Sequence, residues 1–345
     1  MKRILRVILI AILTLFVLSG CSSSKEKLYV FNVGDYMDMD LIKEFEEEFD
    51  CRVIYEEFAS NEDLFVKIKT SKQAYDVIFP SDYMLERLVS QDLVQKLDKD
   101  KIENYKYIDD YYLNRDFDPN NDFSLPYMAG TVGIVYNAEK YPEGIHKWAD
   151  LWDEKYERDV VLYYSQRDVL MVALKKLGYS MNTQNTAELE AAKEELIKQK
   201  PLIYGYLGDE IKDILVAEDA NIGVVYSGDA GVIMSLNDDF KYSIPKEGTN
   251  LWIDLMAIPK SAQNPELAYE FINFLLRPDI QARNAEYLQY STISSEAKKM
   301  LPDEIKNNPA LYPPEEDLKN TEVFTDPTEV IELYDRIWTE VLSGL

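Results

Sequence analysis

Strand-like and helix-like segments alternate along the chain from Leu28 onward. Residues 28–32 and 52–58 are rich in the β-branched and aromatic side chains that are typical of strands. Between them, residues 40–49 place their apolar side chains on one helical face. The same alternation predicts strands at 75–80, 160–164, 222–227 and 251–259, and helices at 62–70, 84–90, 167–177, 187–198, 265–276 and 329–342. This order favours an α/β protein with a mainly parallel sheet.

Polar and aromatic residues gather where several of these strands end. Because ligands of open α/β sheets bind beyond the carboxyl ends of the strands, these clusters are candidate site residues. Four clusters end strands: Asn32-Val33-Gly34-Asp35-Tyr36, Ser81-Asp82-Tyr83, Ser165-Gln166-Arg167-Asp168 and Tyr226-Ser227-Gly228-Asp229. A fifth, Trp252-Ile253-Asp254, lies within the strand predicted at 251–259. Any single cluster is more simply explained by rings at the rim of the core and an Asp that caps the next helix. The recurrence of rings beside carboxylates favours a binding site.

The first residues of the chain read as an export signal. A basic start at residues 1–6 precedes an apolar run at 7–17, which is too short to cross a bilayer as a helix of about 20 residues. The run ends in Leu18-Ser19-Gly20-Cys21, which resembles the lipobox of bacterial lipoproteins. That resemblance implies cleavage before Cys21 and attachment of diacylglycerol to its sulfur, with residues 22–27 as a polar tether. A signal peptide without lipidation and a short anchor helix are the alternatives.

Charge and rare residues narrow the classes of function. The chain has 37 Lys and Arg against 63 Asp and Glu, a net charge of −26, which argues against nucleic acid as a partner because phosphates would be repelled. A single histidine, His146, and two cysteines argue against His-rich and Cys-rich metal sites. No nucleotide-binding, metalloprotease or serine-hydrolase motif occurs, so we expect neither cofactor nor metal. Residues 116–127 begin like a calcium loop but lack its glycine and its final glutamate.

Acidic and aromatic side chains together suit one kind of ligand, an aliphatic amine. Carboxylates bind its ammonium groups through charge-assisted hydrogen bonds, and ring faces cover its methylene stem. Several segments of this chain resemble the spermidine/putrescine-binding proteins of polyamine ABC transporters. The segments are Leu28-Tyr29-Val30-Phe31-Asn32, Pro80-Ser81-Asp82-Tyr83, Trp148-Ala149-Asp150-Leu151-Trp152, Ala173-Leu174-Lys175-Lys176-Leu177-Gly178-Tyr179 and Phe271-Ile272-Asn273-Phe274-Leu275-Leu276-Arg277-Pro278.

The resemblance implies a two-lobed periplasmic-binding-protein fold of the Venus-flytrap type II class. Each lobe is expected to be a mainly parallel sheet flanked by helices, with hinge-like closure on the ligand. The Gly-punctuated stretch 130–136 is predicted to pass between the lobes. The predicted organisation is a signal peptide at 1–20, a lipidated Cys and tether at 21–27, lobe 1 at 28–130 and 253–298, and lobe 2 at 131–252 and 299–345.

The resemblance also implies which residues bind the ligand. Its aromatic box matches Tyr36, Tyr83, Tyr226, Trp252 and Tyr290, and its polar positions match Ser81, Ser165, Asp168 and Asp254; Val33, Asp82, Asp229 and Phe324 are further candidates. Val33 and Gly34 replace a Trp-Thr pair, and Ser165 replaces a carboxylate. The loss of one ring and one charge predicts a ligand shorter than spermidine, unless Asp82 or Asp229 supplies the missing charge.

The function expected from this resemblance is capture without chemistry. The chain would be a lipoprotein on the outer face of the cytoplasmic membrane that delivers a small cationic amine, putrescine or spermidine, to an ABC permease and ATPase. One alternative is another cationic amine, such as agmatine, a choline-like compound or thiamine. Two others are an acidic secreted hydrolase with two catalytic carboxylates and a surface sensor or adhesin that has lost transport.

Overall fold

The computed structural model describes residues 25–34 and 36–344. The predicted signal peptide at 1–20 and the predicted lipidation site Cys21 lie outside the described residues. Across the described ranges, no helix combines the length and the apolar character needed to cross a membrane.

Strands and helices alternate through most of the described chain. The strands are β1 (Glu26–Val33), β2 (Cys51–Phe58), β3 (Val77–Ile78), β4 (Ser124–Asn137), β5 (Val160–Tyr163), β6 (Ile203–Leu207), β7 (Ile222–Tyr226), β8 (Phe240–Ser243), β9 (Leu251–Ala257) and β10 (Ser291–Thr292). The α-helices are α1 (Met39–Glu48), α2 (Asn61–Thr70), α3 (Asp82–Ser90), α4 (Gln166–Lys176), α5 (Thr186–Gln199), α6 (Ile211–Val216), α7 (Ser227–Leu236), α8 (Pro265–Leu275), α9 (Pro278–Leu288), α10 (Ser295–Met300), α11 (Asp303–Lys306) and α12 (Ile331–Ser343). Short 3₁₀ turns occupy Lys99–Lys101, Glu103–Tyr107, Asp110–Tyr112, Trp148–Trp152, Glu154–Tyr156, Lys200–Leu202 and Thr328–Val330.

The strands are hydrogen-bonded in the order β2-β1-β3-β9-β4-β7-β5-β6, with β8 and β10 also paired to β4. Toward the two ends of this order the pairs are parallel: β1 with β2 and β3, and β5 with β6 and β7. In the middle, β4 runs antiparallel to both β9 and β7. Strands β1, β2 and β3 thus form one parallel sheet, and β5, β6 and β7 form another. Parallel strands require crossover connections, which is why helices cover both of these sheets.

The long strand β4 joins the two halves of the molecule. Its 14 residues are all buried. Its first part pairs with β9 as far as Thr131, and from Val132 onward it pairs with β7. The stretch 130–136, predicted as a passage between lobes, is therefore a continuous strand that belongs to both sheets. Hydrogen bonds to β9 before the crossing and to β7 after it pair the backbone there, as a buried segment requires.

Separate hydrophobic cores lie on either side of this crossing. One core contains side chains from residues 28–129 and 251–311. A second contains side chains from residues 132–224 and 324–341, and a smaller third cluster covers the other face of the same sheet. The molecule is thus an α/β protein of two lobes, the type II architecture. Leu301, Ile305 and Leu311 pack into the first core, although their segment was assigned to the second lobe by sequence.

A serine, Ser60, caps α2. The Ser60 hydroxyl accepts a hydrogen bond from the Asp63 amide at 3.1 Å, which satisfies an orphan donor of the first helical turn. Asn61 is instead the first residue of the helix, and its Oδ1 accepts a hydrogen bond from the Ser81 amide at 3.0 Å. The bond to Ser81 ties α2 to the start of α3.

Candidate ligand-binding site

A cavity of about 810 Å³ lies where the two cores meet. Its walls include the last residues of β1, β5 and β7 and the first turns of α3, α4 and α7. Carboxyl ends of strands and first turns of helices meet there because each parallel strand is followed by a helix. Every site residue predicted from sequence within the described ranges lines this cavity: Val33, Tyr36, Ser81, Asp82, Tyr83, Ser165, Asp168, Tyr226, Asp229, Trp252, Asp254, Tyr290 and Phe324.

Asp254 projects from β9, beside the start of α3. Its Oδ2 accepts a hydrogen bond from the Tyr36 hydroxyl at 2.8 Å. The backbone of Asp254 forms an isolated bridge with Ser81, which brings the first residues of α3 against β9. Burial raises the pKa of Asp254 to about 7, although the Tyr36 hydrogen bond acts in the opposite direction. A cation that enters the cavity would therefore stabilise the ionised form of Asp254.

Asp82 lies in the first turn of α3 and is 2% exposed. Its carboxylate accepts hydrogen bonds from the backbone amides of Tyr83 at 2.7 Å and Ile253 at 3.4 Å. Burial raises the pKa of Asp82 to about 8, and the negative charge of Asp254 contributes in the same direction. The buried Asp82 and the half-buried Asp254 therefore stand near each other, and like charges disfavour ionisation of both.

Asp168 lies in the first turn of α4, on the opposite side of the cavity. The Ser165 hydroxyl donates to its Oδ2 at 2.6 Å, and the Tyr226 hydroxyl donates to the same oxygen at 2.7 Å. Its Oδ1 is buried with no hydrogen-bond partner among the residues that the structure describes. Burial raises the pKa of Asp168, while the two hydroxyl donors lower it. Ser165 acts here as the cap of α4 and as a donor that orients Asp168.

Aromatic rings cover the space between these carboxylates. Trp252 stands edge-to-face with Tyr290 at 5.3 Å between ring centroids and with Tyr226 at 6.5 Å. Tyr290 meets Tyr36 in the same manner at 5.7 Å. Gly130 contacts the Trp252 ring so closely that a Cβ there would overlap it. The electron-rich ring faces suit a cation or the methylene stem of an amine.

Arg167 also lines the cavity, although it is not among the ligand-binding residues that the resemblance implies. Its Nη2 donates to the Thr325 carbonyl at 2.9 Å. Its guanidinium lies 4.0 Å from the centroid of the Phe324 ring and 4.8 Å from that of Tyr83. Within the described residues its Nε and Nη1 are buried without a hydrogen-bond partner. Arg167 stood inside one of the strand-end clusters, and only its burial between two rings distinguishes it from a surface arginine.

Of the two carboxylates considered as replacement charges, Asp229 is already paired. Its Oδ1 lies 3.3 Å from the Nζ of Lys212, and its Oδ2 accepts a hydrogen bond from the Tyr163 hydroxyl at 2.9 Å. Lys212 and Tyr163 line the cavity as well and were not predicted. Asp82, by contrast, has no Lys or Arg within ion-pair distance in the described part of the chain. Asp82 is therefore the better candidate for a charge available to a ligand.

An ion pair joins the two cores at the rim of the cavity. Arg87 lies on α3, whose Leu85 and Leu88 belong to the first core, and its Nη2 lies 2.7 Å from Oδ1 of Asp326. Asp326 follows Phe324, which belongs to the second core. The Asp326 amide also donates to the Glu86 carboxylate at 2.8 Å. With side chains only 19% and 16% exposed, this pair is shielded enough from water to hold the two lobes together.

No group of three His, Cys, Asp or Glu side chains suited to a metal ion occurs within residues 25–34 and 36–344.

A comparison with protein families matches residues 40–313 to the family described as bacterial extracellular solute-binding protein. The chain belongs to this family. Solute-binding proteins of transporters are not a class of enzymes, and a deep cavity between two lobes is the architecture expected of a member.

Related solute-binding proteins match nearly the whole chain. The spermidine/putrescine-binding periplasmic protein of Salmonella typhimurium strain LT2 is 36% identical over 325 residues, 94% of this chain and 93% of that protein. The protein of the same description from Escherichia coli K12 is 37% identical over 319 residues, 92% of each chain. A solved structure of the spermidine/putrescine ABC transporter substrate-binding protein PotD from Streptococcus pneumoniae superposes with a TM-score of 0.85 at 39% identity, covering 92% of this chain and 99% of that one.

Proposed function

We propose that this solute-binding protein captures a polyamine outside the cytoplasm and delivers it to an ABC importer. The relatives named above for spermidine and putrescine support the ligand class. The observation that carries the proposal is a set of three carboxylates that line one ring-walled cavity: the buried Asp82 and Asp168 and the half-buried Asp254. No Lys or Arg of the described ranges lies within ion-pair distance of any of them. Such a cavity attracts a ligand that brings more than one positive charge.

A dication would supply the positive charges that these carboxylates lack. Burial of an unpaired carboxylate is costly, and an ammonium group that donates a hydrogen bond to it offsets that cost. Tyr36 already stabilises the charge of Asp254 from the protein side, and Tyr226 does so for Asp168. The stem of the ligand would lie against Trp252 and its neighbouring rings, where each cation–π contact is worth about 0.5–2 kcal/mol.

We propose that a diamine binds at least as well as spermidine. Val33 and Gly34 leave the rim of the cavity without an aromatic ring, and Ser165 places a hydroxyl where a third ammonium would need a carboxylate. Each of these losses should cost a triamine about 1–3 kcal/mol. A two-nitrogen ligand that lies between Asp168 and Asp254 would lose less.

Closure and anchoring complete the proposal. The two lobes, built around the first and the second core described above, would close on the amine by bending at β4 and β9. Cys21 would carry diacylglycerol and hold the protein on the outer face of the cytoplasmic membrane, next to the permease and the ATPase. The protein would perform no chemistry on its ligand.

Isothermal titration calorimetry of the purified protein tests the ligand class. Putrescine, spermidine, agmatine, choline and thiamine are compared at one ionic strength, because screening weakens charge-mediated binding. Saturable binding of putrescine or spermidine with the tightest affinity of the panel is expected. Tighter binding of choline or thiamine would move the ligand to another class of cation, and hydrolysis of any added substrate would contradict a purely binding role.

A further inference from the structure

The chain supplies an ammonium group of its own to the wall of the cavity. Asp229 lies in the first turn of α7 and is 7% exposed. Lys212 reaches it from α6, with Nζ 3.3 Å from Oδ1. The same Nζ lies 3.7 Å from the carboxylate of Asp209, whose side chain is 90% exposed. Asp229 is therefore the buried member of this group, and Lys212 joins it to an exposed carboxylate near the solvent.

The surroundings of Asp229 have the composition of an amine-binding position. The Tyr163 hydroxyl donates to its Oδ2, just as Tyr226 donates to Asp168 and Tyr36 to Asp254. The Tyr163 ring lies 5.0 Å from the Tyr226 ring, and the neighbouring Gly228 contacts the ring of Tyr290.

One difference separates Asp229 from the three carboxylates that we propose to bind the ligand. Asp82, Asp168 and Asp254 have no lysine or arginine within ion-pair distance among the described residues, whereas Asp229 has Lys212. A lysine side chain is a primary ammonium on four methylenes, which is the same group that ends an aliphatic diamine.

We propose that Lys212 is a specificity-determining residue: it occupies the amine position at Asp229 and so restricts the cavity to ligands with fewer amines. The inference rests on the proposed polyamine function. A triamine can use Asp229 only by displacing Lys212, which is tethered beside it at a high effective concentration. A diamine held by two of the other carboxylates does not compete with Lys212 at all.

Removing the charge of Lys212 tests this role. Lys212→Met retains most of the apolar stem and leaves Asp229 free for a ligand. Calorimetry with putrescine and spermidine at one ionic strength should show spermidine gaining about tenfold or more relative to putrescine, the scale of one hydrogen bond between charged groups. Lys212→Arg keeps an ion pair with Asp229 and should retain the wild-type ratio of the two affinities.

Lys306→Met is the matched control. Lys306 has a side chain 32% exposed, against 31% for Lys212, and pairs with Asp303 three residues before it, as Lys212 pairs with Asp209. It does not line the cavity. Both variants change the net charge equally, so only Lys212→Met should alter the ratio. Adding Asp229→Asn to Lys212→Met should abolish the gain for spermidine.

Each result bears on the proposal. An affinity ratio within twofold of wild type in Lys212→Met, or an equal shift in Lys306→Met, would overturn the role of Lys212 and leave the polyamine function intact. A gain for spermidine that persists in the double variant would also overturn it, because the new amine would then bind elsewhere. A wild-type protein that binds neither amine would overturn the proposed function, and the role of Lys212 with it.

Discussion

Replacing Asp254 with Asn removes one negative charge from the cavity wall and leaves the size of the side chain almost unchanged. Asn retains an oxygen that can accept the 2.8 Å hydrogen bond from the Tyr36 hydroxyl, so the local structure should persist. The Tyr36 hydroxyl bound to Asp254 belongs to a ring that meets Tyr290, and Tyr290 in turn meets Trp252. The variant therefore tests charge rather than shape.

The expected loss follows from the burial of the pair. Removing one partner of a buried, hydrogen-bonded charge pair costs about 2–5 kcal/mol, or roughly 30-fold to several thousand-fold in affinity. The pKa of Asp254 is raised to about 7, so at about pH 8 the carboxyl is about nine-tenths ionised, and completing its ionisation costs less than about 0.1 kcal/mol. We expect Asp254→Asn to weaken putrescine binding by about 100-fold or more.

Calorimetry at about pH 8 and constant ionic strength measures this loss. Asp317→Asn is the control, because it changes the net charge by the same amount and Asp317 is exposed and lies outside the cavity. Its affinity should stay close to that of wild type. An Asp254→Asn affinity within threefold of wild type would refute the reasoning, since it would place Asp254 away from the bound ammonium.

Three further predictions concern pH, closure and anchoring. Putrescine affinity should rise by about tenfold or more from about pH 6 to pH 8. Burial raises the pKa of Asp82 to about 8 and that of Asp254 to about 7, so both must lose protons to bind ammonium. Titrations in buffers of different ionisation enthalpy would show the protons released. Arg87→Met should weaken binding by about 3- to 10-fold and speed ligand dissociation in stopped-flow experiments, because the ion pair to Asp326 joins the lobes. Cys21→Ser should yield a protein that lacks the mass of diacylglycerol in mass spectrometry of the membrane fraction.

Control variants and contrary outcomes distinguish these specific effects from the general effect of removing a charged side chain. The pH dependence should flatten in Asp254→Asn, and a wild-type affinity that does not change with pH would contradict the role of the buried carboxyl groups. Arg52→Met removes an arginine whose side chain is 65% exposed beside Glu46, so its binding kinetics should match wild type. A Cys21→Ser protein that is still cleaved before residue 21 and still bound to membranes would contradict lipid anchoring.

The same two carboxyl groups predict how the ligand-free protein responds to pH. Their pKa values in the folded state lie above the ordinary value of about 4 for Asp, so the folded state holds protons that the unfolded chain releases. Their contribution to stability is full below about pH 4 and is lost as the pH rises through about 7 and 8. A bound dication should reverse this loss.

Much of the secondary structure followed from local patterns. Helix α1 was predicted at 40–49 and occupies Met39–Glu48, and β5, α4 and β7 lie within a residue or two of their predicted bounds. The segment 75–80 forms only the two-residue strand β3, because only Val77 and Ile78 pair with β1. Which residues pair depends on how distant strands lie beside each other, and a local pattern does not specify that. Strand β4 was not recognised as one strand, since its central glycines weaken the pattern and only its pairing on both sides keeps it extended.

What the sequence determined by itself was the chemistry of the cavity wall. Asp82, Asp168 and Tyr226 lie at strand ends or in first helical turns, and a parallel α/β chain must bring such positions to one edge. Trp252 and Asp254 lie within the antiparallel strand β9 instead. What only the tertiary structure decided was which charges are available to a ligand. Lys212 pairs with Asp229 from a separate helix, and Arg167 is buried between rings of different segments. Ion pairing acts over a few ångströms, and no local pattern specifies which distant side chains come that close.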